Sequence, residues 1–404
     1  MHTFTSDVII IGGGIAGLWT HYQLNERGLY AILIDKSPIG GQQTFSSQGI
    51  IHGGAKYTLN GIFSNAASAI ADMPKRWQAC LQGNGEIDLS GTNILSPNQL
   101  MWSTQGLSSK LTSFFSSKAL NSKVTSMLPE QYPPVFQNKG FKGHLYQLNE
   151  PVLDVPSLVK HLSQKWQHRI LQVPSTYTFD KKNASENKIV IDGHFEIYTK
   201  EFILTGGEGN EQLLQNLAIH SPKMQRRPLH MVLAKSSTLP PLYAHCIRAS
   251  PKPIATITSH YHSDGETVWY IGGNIAEDGV AMSSESLISS TQKKLSEILP
   301  WIPLNTIKWA TYKVNRAEPV QKNQLRPDTT FVESVNNIHI AWPTKLALTP
   351  HLSDQLVNRV KEKQLRPQKQ QQQLETDQLL EQLPKSFSCQ LESSLWERIF
   401  NATH

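Results

Sequence analysis

Apolar and polar residues alternate in blocks along residues 6–36 (SDVIIIGGGIAGLWTHYQLNERGLYAILIDK), and the blocks predict a strand, a helix and a second strand. Residues 7–11 form a short apolar run rich in β-branched residues, which is typical of a buried strand. A helix-like stretch continues to Arg27, and a second apolar run over residues 31–34 ends in Asp35. The pattern therefore predicts a β-α-β unit at the start of the chain.

Three glycines, Gly12, Gly14 and Gly17, lie between the first strand and the helix. With Asp35 at the end of the second strand, their spacing matches the dinucleotide-binding fingerprint. Gly12 permits a sharp turn, Gly14 lets backbone N–H groups approach a pyrophosphate, and Gly17 allows close packing of helix on strand. The positive end of the helix dipole would face the phosphates.

Asp35 indicates which dinucleotides the site can bind. Its carboxylate can accept hydrogen bonds from ribose hydroxyls, whereas its charge would repel the 2′-phosphate of NADP. Ile15 and Ala16, at the helix start, and Lys36, beside Asp35, belong to the same predicted contact surface. A purely structural turn is the alternative, and these residues alone leave FAD and NAD open.

Length and composition indicate a folded protein of two closely connected domains. The chain has 404 residues, of which 39% are hydrophobic and 17% charged. It contains no apolar run of about 18 residues and enters a strand almost at once, so the sequence predicts a cytoplasmic protein without a signal peptide. The formal charge of +6 is compatible with an anionic substrate, a membrane surface or RNA, but an ordinary basic surface is the default. Cysteine residues are far apart and favour neither disulfides nor a metal site: Cys80, Cys246 and Cys389.

Residues 36–59 (KSPIGGQQTFSSQGIIHGGAKYTL) follow the fingerprint and combine small and hydroxyl residues with glycines, so the backbone passes close to something bulky. Here the chain resembles the FAD-dependent D-amino-acid oxidase superfamily, which includes glycine and sarcosine oxidases, glycerol-3-phosphate dehydrogenases and 2-hydroxyglutarate oxidases. In that family a Ser/Thr-rich loop precedes a segment like "SGIIHGG" beside the isoalloxazine ring. The resemblance implies that Thr44, Ser46 and Ser47 contact FAD.

Two further segments extend this resemblance. Residues 202–214 (FILTGGEGNEQLL) are similar to the family's second FAD-contacting segment, in which Gly206 and Gly207 would approach the cofactor. Residues 336–360 resemble the C-terminal segment, a strand that leads to a loop under the flavin and a final helix. This chain has "WPTKLAL" where relatives carry "GHGxxG", so its loop makes different contacts with the ring. The loop residues implied to contact FAD are Pro343, Thr344, Lys345 and Leu346. Since NAD-only dehydrogenases do not need these two segments, FAD is favoured as the cofactor.

The resemblance implies an α/β fold in which a Rossmann-like FAD-binding domain is interleaved with a substrate domain built on a mixed or antiparallel sheet. The FAD-binding domain is predicted from residues 1–82, 145–222 and 330–365, and the substrate domain from residues 83–144 and 223–329. Residues 366–404 form a Gln- and Lys-rich linker and an amphipathic tail. Docking of the tail on the body of the protein is the first interpretation, and contact with a partner or a membrane is the alternative.

Three residues are candidates for catalysis: His52, Arg316 and Lys345. The resemblance would bring His52 close to the flavin, where it could orient substrate, bind FAD or take a proton; as a base it would favour an alcohol substrate. Arg316 is a candidate for binding a substrate carboxylate, and an ion pair with Glu318 is the alternative. Lys345 is similarly placed to a lysine of sarcosine oxidases, where positive charge stabilises the reduced ring.

No metal is expected, because His260 and His262 share a strand face without an identifiable third ligand. The predicted function is FAD-dependent oxidation of a small anionic amine or hydroxy compound, with oxygen or a quinone as electron acceptor. The alternatives are a peripheral membrane dehydrogenase that passes electrons to quinone, and a flavoprotein that acts on a modified tRNA nucleoside. No compact basic and aromatic stripe favours nucleic-acid binding. A non-catalytic FAD-binding protein is the remaining class.

Overall fold

The computed structural model describes residues 2–53, 70–103, 124–173, 177–183, 186–191, 195–247, 252–325, 327, 329–342 and 345–402. The strands are β1 His2–Ile11, β2 Ala31–Asp35, β3 Ile94–Ser96, β4 Gln99–Ser103, β5 Val124–Ser126, β6 His144–Leu148, β7 Val152–Leu153, β8 Ile170–Gln172, β9 Tyr177–Asn183, β10 Glu186–Ile191, β11 Phe195–Leu204, β12 Met224–Ser236, β13 Ala244–Ile247, β14 Ala255–Tyr261, β15 Thr267–Gly272, β16 Lys308–Pro319, β17 Phe331–Val335 and β18 Ile338–Trp342. The helices are α1 Ile15–Glu26, α2 Met73–Leu81, α3 Val155–Gln164, α4 Asn210–Asn216, α5 Asn274–Asp278, α6 Ser284–Ile298, α7 Thr349–Glu362, α8 Gln370–Glu381 and α9 Leu395–Asn401.

The first sheet has a parallel core in the order β8–β2–β1–β11–β18. β17 adds an antiparallel edge, and the β9–β10 hairpin is attached to β11. Val8, Ile9 and Ile10 are fully buried because both faces of this sheet are covered, which explains the continuous apolar run in β1. On one face, residues of α1, α3 and α7 join a single hydrophobic core. The predicted Rossmann-like arrangement is confirmed.

The second sheet has the order β16–β12–β15–β14–β13–β4–β6–β5. Every neighbouring pair is antiparallel except β13 and β4, which run parallel, so the sheet is mixed, as predicted. Its core includes Trp102, Trp269 and residues of α6. Residues 145–148 of β6 were predicted as part of the FAD-binding domain, but this strand pairs with β4 in the second sheet.

The C-terminal tail packs on both sheets. Asp377 of α8 accepts hydrogen bonds from Nε and Nη2 of Arg169, at 2.9 and 2.7 Å, and from the hydroxyl of Tyr30. Trp396 and Phe400 of α9 are buried in a cluster with β12 and β15. Most apolar residues of α9 are thus buried within the protein, whereas Leu379 and Leu391 of the tail are 37% and 40% exposed. In the described ranges, none of the helices is both long and apolar enough to cross a bilayer.

Candidate active site

A cavity of about 1160 Å³ is lined by residues of both sheets. It opens at the carboxyl ends of β1, β2 and β11, where ligands bind in open parallel sheets. Most of the predicted site residues line it: Gly12, Gly14, Ile15, Ala16, Asp35, Lys36, Thr44, Ser46, Ser47, His52, Gly206, Gly207, Arg316, Lys345 and Leu346. Gly17 lies behind the wall, and Pro343 and Thr344 fall outside the described residues.

The glycine turn is too tight for side chains. Gly12 has φ +117°, and a Cβ there would lie 2.6 Å from the carbonyl carbon of Thr205. A Cβ on Gly17 would lie 1.9 Å from the carbonyl oxygen of Gly12, so Gly17 acts through the close packing of α1 on β1. The Thr205 hydroxyl donates to the same Gly12 oxygen at 3.1 Å and joins the ends of β1 and β11.

The N-terminus of α1 and the carboxylate of Asp35 border this turn. The amide of Ile15 donates to Oγ1 of Thr44 at 3.1 Å, which brings the loop after β2 onto the helix end. Asp35 accepts from the amide of Gly13 at 2.5 Å and from that of Ser37 at 2.8 Å. Burial raises the pKa of Asp35, against the lowering effect of these bonds. The tight glycine turn and the N-terminus of α1 fit the pyrophosphate of a dinucleotide, and Asp35 fits its ribose.

The loop after β2 is held against the second sheet. Nε2 of Gln48 donates to the carbonyl oxygens of Thr256 and Tyr270, at 3.0 and 2.9 Å. The Tyr270 hydroxyl in turn donates to the carbonyl oxygen of Ser46. These bonds fix the segment that carries His52 between the two sheets.

His52 forms a hydrogen bond with a carboxylate that sequence analysis missed. Its Nδ1 lies 3.0 Å from Oε2 of Glu150, and the other oxygen of Glu150 accepts from the amide of Gly53 at 2.8 Å. The His52 side chain is 17% exposed and that of Glu150 only 3%. The His245 ring stacks on His52 with centroids 5.9 Å apart, and its Nδ1 lies 2.8 Å from Oγ1 of Thr256.

Among the described residues, one group has donor atoms close enough to hold a metal ion: His52, Glu150 and His245, within 4.8 Å of one another. In both histidines Nδ1 takes part in the hydrogen bonds given above. The histidines considered from the sequence are outside this group. His260 stacks on Trp396, and His262 contacts Asp264 and Glu397.

Arg316 lies on β16 at the cavity wall, but its neighbour Glu318 binds another arginine. Nε and Nη2 of Arg227 donate to the two oxygens of Glu318, at 2.6 and 2.9 Å. Nη2 of Arg316 lies 3.9 Å from Oε1 of Glu277. Glu318, the alternative partner predicted for Arg316, therefore pairs with Arg227 on the neighbouring strand.

Lys345 follows β18 directly before a 3₁₀ turn, Leu346–Leu348, that leads into α7. Nearby, the indole of Trp342 donates to the carbonyl oxygen of Gly207 at 3.0 Å. The ends of β11 and β18 are thus tied together at the cavity.

Several cavity residues escaped sequence analysis, among them Gln48 and Thr205. Thr205 directly precedes the two glycines of the second FAD segment, so its position was a usable signal. For Glu150, which holds His52, the partner is distant in the chain, and no local pattern identifies it.

A parallel sheet with a tight glycine turn, facing a mixed sheet across one shared cavity, is typical of dinucleotide-dependent oxidoreductases. Residues 7–312 match the family described as "DAO: FAD dependent oxidoreductase". The chain belongs to this family and is an FAD-dependent enzyme.

The relatives agree with this assignment. The chain is 46% identical over 364 residues to the probable FAD-dependent oxidoreductase PA4991 of Pseudomonas aeruginosa, which covers 90% of this chain and 93% of the relative. The crystal structure of PA4991 superimposes with a TM-score of 0.84 at 39% identity, over 98% of this chain and 99% of that one. Glycine oxidase from Geobacillus kaustophilus shares the fold, with a TM-score of 0.65 at 12% identity, over 91% of this chain and 96% of that one.

Proposed function

We propose that this enzyme oxidises a small anionic amine, such as an amino acid or N-methyl amino acid, or a small anionic hydroxy compound. The observation that carries the proposal is the hydrogen bond between His52 and Glu150, at the wall of the cavity that also contains the tight glycine turn. Bound FAD would supply N5 as the hydride acceptor. The predicted cofactor contacts that line the cavity remain assigned to FAD in this proposal.

His52 is the proposed proton acceptor. When Nδ1–H donates to Glu150, the neutral ring carries its lone pair on Nε2. The second oxygen of Glu150 is held by the Gly53 amide, so the carboxylate keeps its orientation. A hydroxyl group must lose a proton as hydride leaves, and an ammonium group must lose one before its oxidation. The same pair therefore serves an alcohol or an amine.

Two cations complete the proposed site. Arg316 lines the cavity with a side chain that is 22% exposed, and its guanidinium has the geometry to bind a carboxylate through two hydrogen bonds. Lys345, together with the N-terminus of α7, would supply positive charge where the reduced ring gains electron density.

An anaerobic titration of the purified, FAD-loaded enzyme tests the proposal. The candidates are D- and L-amino acids, N-methyl amino acids, glycerol 3-phosphate and 2-hydroxy acids. They include an amine class and a hydroxy class because the fold neighbours include a glycine oxidase and an L-α-glycerophosphate oxidase. We expect one class to bleach the visible flavin absorbance, and His52→Asn to slow the bleaching by about 10²-fold. The exposed His220→Asn is the control. Re-oxidation by air or by a soluble quinone then identifies the electron acceptor. Failure of every candidate, or an undiminished rate in His52→Asn, would contradict the proposal.

A further inference from the structure

Two arginines stand directly opposite each other on the wall of the cavity. In the antiparallel pair of β12 and β16, Arg227 is the register partner of Arg316. Directly opposed residues share one face of a sheet, and both arginines line the cavity. The next two pairs on this face are apolar and also line it: Leu229 with Val314, and Met231 with Tyr312. The two guanidinium groups therefore lie at one end of a row of mainly apolar pairs on this face.

Arg227 is held in one orientation from behind. Two of its nitrogens, Nε and Nη2, donate to Glu318, whose side chain is 2% exposed. The third nitrogen, Nη1, has no hydrogen-bond partner among the described residues, and the Arg227 side chain is 18% exposed. A guanidinium fixed along one edge keeps the remaining donor group available to a ligand.

Two carboxylates lie beside this pair of arginines. Like charges directly opposite each other on neighbouring strands destabilise a sheet. Glu318 compensates Arg227, while Glu277 lies 3.9 Å from Arg316 and 3.2 Å from Nζ of Lys252. Three cations, Arg227, Arg316 and Lys252, therefore lie at this part of the cavity wall, where a bound carboxylate would reduce the repulsion between the two arginines.

We propose that Arg227 is a second substrate-binding residue. Its guanidinium, on β12, binds the same anionic group of the substrate as Arg316 on the neighbouring β16. Glu318 is then a positioning residue that aims Arg227 at the cavity. This inference rests on the proposed function, in which Arg316 binds that anionic group. It adds a residue on β12 and identifies the bound group as a carboxylate held from two adjacent strands.

Calorimetric titration of the FAD-loaded enzyme with propanoate tests the inference, because propanoate has a carboxylate but no amine or hydroxyl group to oxidise. We expect Arg227→Lys, which keeps the charge and loses the planar fork, to weaken propanoate binding about tenfold. With a substrate, the same variant should raise KM about tenfold and leave kcat within about twofold, as for a group that binds ground state and transition state alike.

Arg226→Lys is the matched control. Arg226 is the neighbouring residue, is 40% exposed and pairs with Glu208 and Glu211. We expect it to bind propanoate like the wild type. Propanamide, the uncharged analogue, should distinguish none of these variants.

The double variant Arg227→Gln/Glu318→Gln covers a failure of Arg227→Lys to fold, because it removes the buried carboxylate together with its partner. It should fold, retain FAD and lose propanoate affinity. Wild-type affinity in Arg227→Lys or in the double variant, combined with loss in Arg316→Lys, would overturn the role of Arg227 and leave the proposed function intact. Wild-type affinity in Arg316→Lys as well would contradict both.

Discussion

Nδ1 of His52 lies 3.0 Å from Oε2 of Glu150, although 98 positions separate the two residues in the chain. The bond joins the loop that follows the FAD fingerprint to the residue that precedes β7 by two positions. Glu150 is buried, and both of its oxygens accept hydrogen bonds. A buried carboxylate that fixes an imidazole in one tautomer is a recurrent arrangement for a catalytic histidine.

Replacing Glu150 by glutamine should lower the rate of flavin reduction. The variant keeps the shape of the side chain but removes the charge that stabilises a protonated His52, so we expect a decrease of about 10- to 100-fold at saturating substrate. Stopped-flow measurement of flavin reduction at saturating substrate checks this rate, with His220→Asn as the control. An unchanged rate would remove Glu150 from the mechanism.

Alanine at Gly17 should prevent FAD binding. The new Cβ would stand 1.9 Å from the carbonyl oxygen of Gly12, so α1 could not keep its distance from β1. We expect a purified protein with less than about a tenth of the wild-type flavin content, or no folded protein. Gly28→Ala is the control at the other end of α1. That glycine has φ +81° and open space around it, so the variant should lose about 1 kcal/mol of stability and keep its flavin.

Trp396→Ala should detach α9 from the second sheet. The indole is 6% exposed and stacks on His260 with ring centroids 4.2 Å apart. Removing a buried tryptophan typically costs about 3–5 kcal/mol of unfolding free energy, measurable by urea denaturation. Leu379→Ala on α8, where the side chain is 37% exposed, should change stability by less than about 0.5 kcal/mol. Equal stability of the two variants would mean that α9 contributes nothing to the fold.

Acid should weaken the fold through two buried histidines. Burial lowers the pKa of His260 and that of His21 from the ordinary 6.5 to about 3. Both rings stay neutral in the folded protein but take up protons on unfolding below pH 6.5. Their contribution to stability is therefore complete above pH 6.5 and decreases toward pH 3, by about 1.4 kcal/mol per pH unit for each ring.

The variant His260→Gln isolates one of these two rings. It should reduce the slope of unfolding free energy between about pH 6 and pH 5 by roughly 1.4 kcal/mol per pH unit. Urea titrations at several pH values measure the slope, and the exposed His220→Gln is the control. A slope equal to that of the wild type would show that His260 does not contribute to the acid sensitivity.

The cofactor half of this protein was predictable because its signals are local. The run 7–11, the three glycines and Asp35 lie within one β-α-β unit. Apolar periodicity and the steric freedom of glycine are properties of contiguous residues. The tight turn at Gly12 and the parallel core of the first sheet could therefore be predicted from the sequence.

The substrate half depends on pairings between distant strands. Residues two apart in a strand share a face, so an ion pair with Glu318 was the alternative considered for Arg316. The register of β12 against β16 instead lets Arg227 bind Glu318 from the neighbouring strand. Glu150 reaches His52 because Val152 of β7 forms an antiparallel bridge with Ile50, two residues before His52. By itself the sequence determined the fold class, the family and the cofactor. Tertiary structure alone decided which charged side chains meet at the cavity, because strand register and chain topology set those distances and no local pattern encodes them.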